Sequence, residues 1–243
     1  MLQLKHITSL NLDGYTVVLP AICVGNAAQL ACDLIISSKS LKRVGNIVHP
    51  ALIPLYGPSA YQHEPEEKAA ACEVYEGAED KLLVIQFRSP LISKHSQSFH
   101  NELADLLQKL QPKRIIILSG SFGFEKRIIG GSSYGYRASE AFKEAHAAQF
   151  KVVGWNEFTG DVVYGGGNCI KLYKLLEERS VPVMVLFRYL LDGDASMQAT
   201  VILRELNLIC KDFLQISGKD DELKLVVPVS WKLLFGNEFA EIC

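Results

Sequence analysis

Four consecutive branched aliphatic residues, Ile115-Ile116-Ile117-Leu118, follow Lys113-Arg114. A strand with one wet face alternates apolar and polar side chains, whereas a run without alternation suits a strand covered on both sides. This feature points to a sheet sandwiched between helices. Residues 14–19 are β-branched and apolar and read as a second buried strand, ended by Pro20. Residues 27–38 are rich in Ala and Leu and suit a helix, with Asn26 as its N-cap and Ala27, Leu30 and Leu34 on one face. Further strands are expected at 44–49, 71–75, 82–87, 162–164 and 181–187. Further helices are expected at 96–110, 138–150, 169–179 and 195–213, the last with Asp194 as N-cap. The short 76–80 link implies a hairpin, so the sheet is mixed. The expectation is an α/β fold: a single three-layer α/β/α domain with a mixed, mostly parallel sheet. It covers 1–217, and 218–243 forms a C-terminal segment that packs on the domain and ends in a short exposed tail.

Two stretches read as irregular. Residues 50–68 hold Pro50, Pro54, Pro58 and Pro65. Residues 119–136 are rich in Gly, Ser and aromatics and read as a long functional or interface loop.

With 25 basic and 27 acidic side chains in 243 residues, the net charge is -2. A dedicated nucleic-acid binder needs a basic face to displace phosphate counterions, so that class is not expected. No apolar core of a signal peptide forms in 1–13. The longest uncharged stretch, 14–32, contains Pro20, Gly25, Asn26 and Gln29, so no membrane span is expected either. The cysteines at 23, 32, 72, 169, 210 and 243 include no C-x-x-C pair. They are expected to be reduced and mostly buried, with no metal site.

Two segments could carry chemistry. Ser119-Gly120-Ser121-Phe122-Gly123 follows a strand and half-matches the G-x-S-x-G nucleophile turn, with Ser119 in place of the first Gly. Ser121 would need His146, the one later histidine, which lies inside an expected helix. Gly165-Gly166-Gly167 precedes a helix and could seat a phosphate. However, Asn168-Cys169 stands where a Walker loop has Lys-Ser/Thr, and the simpler reading is a tight junction needing positive φ. An α/β hydrolase or nucleotide-binding enzyme using Ser121 or the 165–167 turn is therefore the alternative function. His95 and His100, five apart, read as solvated or capping residues rather than metal ligands. Asp192 and Asp194 read as a turn and a cap. No complete catalytic set emerges, which favours a binding protein.

The segment 226–236 is unusually apolar for a chain end. Trp231, Leu234 and Phe235 either dock on the protein's own core or pack on another chain, as Trp and Phe anchors do. Both readings stay open.

Four segments carry a resemblance to the proteasome assembly chaperone 2 family. The first is Val24-Gly25-Asn26-x-x-Gln29-Leu30-Ala31-x-Asp33-Leu34-Ile35-Ile36. The second contains Gln86-x-Arg88-Ser89. The third is Gly165-Gly166-Gly167 followed by Leu172-Tyr173, and the fourth is Ser230-Trp231-Lys232-Leu233-Leu234-Phe235-Gly236. The resemblance implies a non-enzymatic chaperone subunit in cytoplasm and nucleus, without cofactor. It implies a heterodimer with proteasome assembly chaperone 1 that binds alpha-type subunits, promotes alpha-ring assembly and prevents off-pathway ring association. The candidate partner-binding residues are Trp231, Phe235, Phe239, Ile242 and Cys243. Related chaperones end in hydrophobic–Tyr–any residue, and the terminal carboxylate pairs with a pocket Lys. This chain ends Glu241-Ile242-Cys243. It keeps the carboxylate but not the tyrosine, so the main anchor is expected from the partner's tail.

Overall fold

The computed structural model describes residues 1–5, 11–127, 130–190, 195–214 and 224–233, without the side chains of 212, 213, 232 and 233. The expected boundary at 217–218, Asp192 and Asp194, and the tail residues Phe235, Phe239, Ile242 and Cys243 lie outside the described residues.

The expected buried run becomes β8 (Arg114–Phe122) at the centre of a nine-stranded sheet. Strands β7 (Leu82–Phe87), β2 (Thr16–Pro20), β8 and β11 (Val183–Leu190) lie side by side and parallel. Outside β7 the sheet turns antiparallel through β6 (Cys72–Gly77), β3 (Lys42–Val48) and β1 (Gln3–Lys5). On the other side β11 pairs antiparallel with β9 (Tyr134–Ala138), which runs parallel to the short β10 (Asn156–Glu157). The sheet is therefore mixed, with a parallel centre and the expected β6–β7 hairpin.

Successive side chains of the central strands point to opposite faces. Val18, Val84, Ile116, Leu118, Met184 and Leu186 join one core, capped by α1 (Ala27–Ser38) and α6 (Ala195–Ile209). Val17, Leu19, Ile115, Ile117, Val183 and Val185 join the other, under α2 (Ser93–Leu110) and α5 (Cys169–Glu178). The absence of alternation in β8 thus reports two dry faces, and the three-layer α/β/α architecture follows.

Several expectations change. The stretch 119–136 is not one loop. Ser119–Phe122 continue β8, hydrogen-bonded along Phe187–Leu190 of β11, and 134–136 begin β9. The glycines that suggested a loop serve close packing. A Cβ on Gly120 would lie 2.7 Å from the Leu190 side chain, and one on Gly135 would lie 2.2 Å from the Phe187 ring. Residues 162–164 form no strand. The expected 138–150 helix breaks at His146 (φ -125, ψ 24) into α3 (Glu140–Ala145) and α4 (Ala147–Phe150). The 195–213 helix breaks after Ile209, and α7 (Lys211–Leu214) follows. The 50–68 excursion carries β4 (Tyr56–Pro58), paired with β5 (Lys68–Ala70). Asn26 is left-handed (φ 52) and caps nothing with its side chain, which instead accepts a 3.3 Å bond from Gln29. Cys23, Cys32, Cys72, Cys169 and Cys210 are free and buried, as expected.

Candidate functional site

The first two family segments meet inside the molecule. Asp33 sits on α1 in an otherwise apolar stretch and is only 5% exposed. Its Oδ1 accepts from Tyr61 Oη (2.6 Å), Gln86 Nε2 (2.6 Å) and Arg88 Nη2 (3.1 Å). Arg88, just after β7, donates from Nε to Glu73 Oε2 (2.6 Å) on β6. Glu73 is 1% exposed, and its Oε1 accepts from Arg43 Nη1 (3.3 Å) and the Ala70 amide (3.1 Å). Two carboxylates and two guanidinium groups therefore balance in a largely closed network. Arg88 also lies 5.4 Å over the Tyr61 ring, a cation–π contact that favours the charged form.

Electrostatics follow from this packing. Burial alone would lower the Arg88 pKa, but Asp33, Tyr61 and Glu73 outweigh it and hold it well above the usual range. Burial, and then the Asp33 charge, push Tyr61 well up, so it stays a neutral donor. A satisfied network of this kind fixes geometry. It ties α1, the 50–68 excursion and β6–β7 into one body and offers no free nucleophile or base.

Residues 224–233 pack against the same body. The Val226 amide donates to Ser38 Oγ at the end of α1 (2.9 Å), and the Ser230 amide donates to the Ala60 carbonyl (3.3 Å). Trp231 lies half-buried against the α1/α6 core, and its Nε1 is buried without a partner among the described residues. Of the five expected partner-binding residues, only Trp231 is within the described part.

The hydrolase alternative fails on distance. Ser121 is buried near the carboxyl end of β8 and donates to the Tyr164 carbonyl (2.9 Å). His146 contacts Arg114, the first residue of the same strand (2.5 Å). Seven residues of strand separate the two ends, roughly 23 Å at the usual rise. The 165–167 turn has Gly165 at φ +79 and Gly167 at φ +60. A Cβ on Gly167 would lie 2.5 Å from the Ile22 carbonyl, so the turn's glycines serve tight packing, as the simpler reading expects.

The carboxyl end of β8 carries a second feature. Phe122 and Phe124 stack at 5.1 Å and 11°, with Phe124 81% exposed, and Val162 and Tyr164 are exposed nearby. The 119–136 reading missed the strand but did fall on this surface. Sequence reasoning missed Tyr61, Glu73 and Arg43. The available signal was Asp33 itself, since a carboxylate among the apolar residues of a buried helix face requires buried partners.

Among the described residues no helix is long and apolar enough to cross a membrane, and no group of three or more His, Cys, Asp or Glu could hold a metal.

The model of the PAC2 family matches residues 17–209. Proteasome assembly chaperone 2 of Danio rerio is 30% identical over 244 residues, covering 92% of each chain. The Homo sapiens protein of that name is 27% identical over 251 residues, covering 93% of this chain and 94% of its own. Pyrococcus furiosus PbaA, described as an archaeal homolog of proteasome-assembly chaperone, shares the fold with a TM-score of 0.68 at 13% identity, covering 87% of this chain and 86% of its own. Pyrococcus furiosus PbaB, described as an archaeal proteasome activator, gives 0.59 at 15%, covering 86% and 89%. A family match over residues 17–209 places this protein in the PAC2 family, similar along its length to proteins named proteasome assembly chaperone 2.

Proposed function

We propose that this chain is a proteasome assembly chaperone subunit. It acts as a heterodimer with proteasome assembly chaperone 1, holds alpha-type subunits while their ring forms and prevents off-pathway ring association. It does so without catalysis or cofactor, in cytoplasm and nucleus. The observation that carries this reading is the likeness to proteasome assembly chaperone 2 over 92% of both chains. Exposed rings such as Phe124 support it, because protein contacts draw their affinity from a few desolvated aromatic anchors. Trp231, Phe235, Phe239, Ile242 and Cys243 are proposed as partner contacts. Release at maturation requires the chaperone to bind immature and mature rings with different affinity.

Co-expression with the sister chaperone and the alpha-type subunits tests the reading. The expected result is a stable two-chaperone complex that captures alpha subunits. A purified chain that stays monomeric and ignores both would refute it.

A further inference from the structure

A cavity of about 220 Å³ opens at the carboxyl ends of the central strands. The chain leaves β2 toward β3 on one side of the sheet and leaves β8 toward β9 on the other. The gap between β2 and β8 is therefore the point where connections diverge, the place where open α/β sheets form ligand crevices. The cavity lies on the α2/α5 side. Leu19, Ala21, Ile117, Phe99, Leu103 and Leu172 supply its apolar walls.

Two polar side chains, His100 and Asn168, break those walls. His100 on α2 lines the cavity and is 6% exposed. Its Nδ1 lies 2.6 Å from the Ser96 carbonyl, which can only accept, so Nδ1 carries the proton and Nε2 is left as an acceptor. Nε2 has no hydrogen-bond partner among the described residues. Asn168, at the start of α5, holds the other side of this arrangement by donating to Ser96 Oγ (3.2 Å), which in turn meets His100 Nδ1 (3.3 Å). The ring is thus oriented from behind. No lysine or arginine is among the residues that line the cavity, so it is unsuited to a phosphate.

We propose that this cavity is a binding site for a small aromatic molecule bearing one hydrogen-bond donor, of the phenol class, with the donor on His100 Nε2 and the ring among Leu19, Phe99, Leu103, Ile117 and Leu172. An apolar cavity of about 150 Å³ already accepts a benzene ring, so the space here takes a ring with a small substituent. The open acceptor selects for the donor, because a ligand without one leaves Nε2 buried and unpaired. The site is independent of the chaperone reading: it would give the fold a small-molecule input whichever proteins it contacts.

The test is titration of the full chain with p-cresol and with toluene, followed by methyl NMR of the cavity leucines and by thermal melts. Saturable p-cresol binding localised to Leu103 and Leu172, with toluene at least tenfold weaker, is expected. His100→Phe, which keeps a ring and loses the acceptor, should bring the two ligands within threefold of each other. Ala21→Leu, which narrows the cavity, should weaken both. Equal binding of the two ligands to the unaltered chain, shifts that do not saturate, or p-cresol affinity unchanged in His100→Phe would each overturn the assignment. The comparison of ligands on the unaltered chain decides the matter even if a variant does not fold.

Discussion

Arg88 Nη2 and Asp33 Oδ1 meet at 3.1 Å although 55 positions separate them. The contact joins the end of β7 to the middle of α1, and the same guanidinium reaches Glu73 on β6. Such a network adds little net stability over a well-packed apolar replacement, but removing one member strands the rest.

Arg88→Ala should therefore destabilise the fold by about 3–5 kcal/mol, because Asp33 and Glu73 would remain buried without their shared cation. Urea unfolding followed by circular dichroism measures it. A loss below about 1 kcal/mol would show that the two carboxylates find water or another partner.

Trp231 is half-buried rather than sealed in the core. Trp231→Ala should cost about 2 kcal/mol, less than the ~3–5 of a fully buried ring. Trp231→Phe should cost under ~1 kcal/mol, since the indole N–H it removes has no partner among the described residues. Melts of both variants rank the two effects, and a Phe variant as unstable as the Ala variant would contradict this account.

The elements most legible in the chain were those governed by local pattern. Residues 27–38 form a helix at the expected bounds, and 82–87 form a strand at the expected bounds, because continuous apolar runs with clear ends need little tertiary help. The failures arose where packing across the sheet overrides composition. Gly120 and Gly135 read as loop residues because nothing nearby in sequence announces Leu190 or the Phe187 ring, which leave room only for a hydrogen. His146 sat within a helical pattern, yet the helix breaks there while its ring reaches Arg114. Of the Asp33 network, both ends were present in the two family segments. Tyr61, which bonds both Asp33 and Arg88, arrives from a proline-rich excursion whose own pattern carries no address.

Phe124 is 81% exposed and, among the described residues, stacks only on Phe122. Phe124→Ala should leave the melting temperature unchanged while weakening capture of at least one proposed partner, the sister chaperone or an alpha-type subunit, by about tenfold or more. Pull-downs with each partner measure this separately. Unchanged capture of both would remove this surface from the proposed interface.

Deletion of 241–243 should leave thermal stability unchanged and reduce ring binding only modestly. In the proposed complex the main anchor is the partner's tail, and Ile242 and Cys243 add only a peripheral share to the contact. Complete loss of ring binding would show that Ile242 and Cys243 engage the ring without it.

His100 sets a pH dependence whose sign can be worked out. Burial lowers its pKa from the ordinary 6.5, and Lys171 adds to that, against the Ser96 carbonyl, which raises it. The unfolded chain takes up a proton near 6.5, while the folded chain holds the ring neutral to lower pH. The unfolded state therefore binds more protons in that window, and stability falls as pH drops below 6.5 toward the folded value. His49, also shifted down by burial, acts in the same direction. His100→Phe should thus show a smaller drop in melting temperature between neutrality and about pH 5 than the unaltered chain, whatever its stability at neutral pH. Parallel melts of the two proteins across that range provide the measurement. Superimposable pH profiles would mean that the folded chain protonates His100 as readily as the unfolded one, and that its ring is not held neutral by burial.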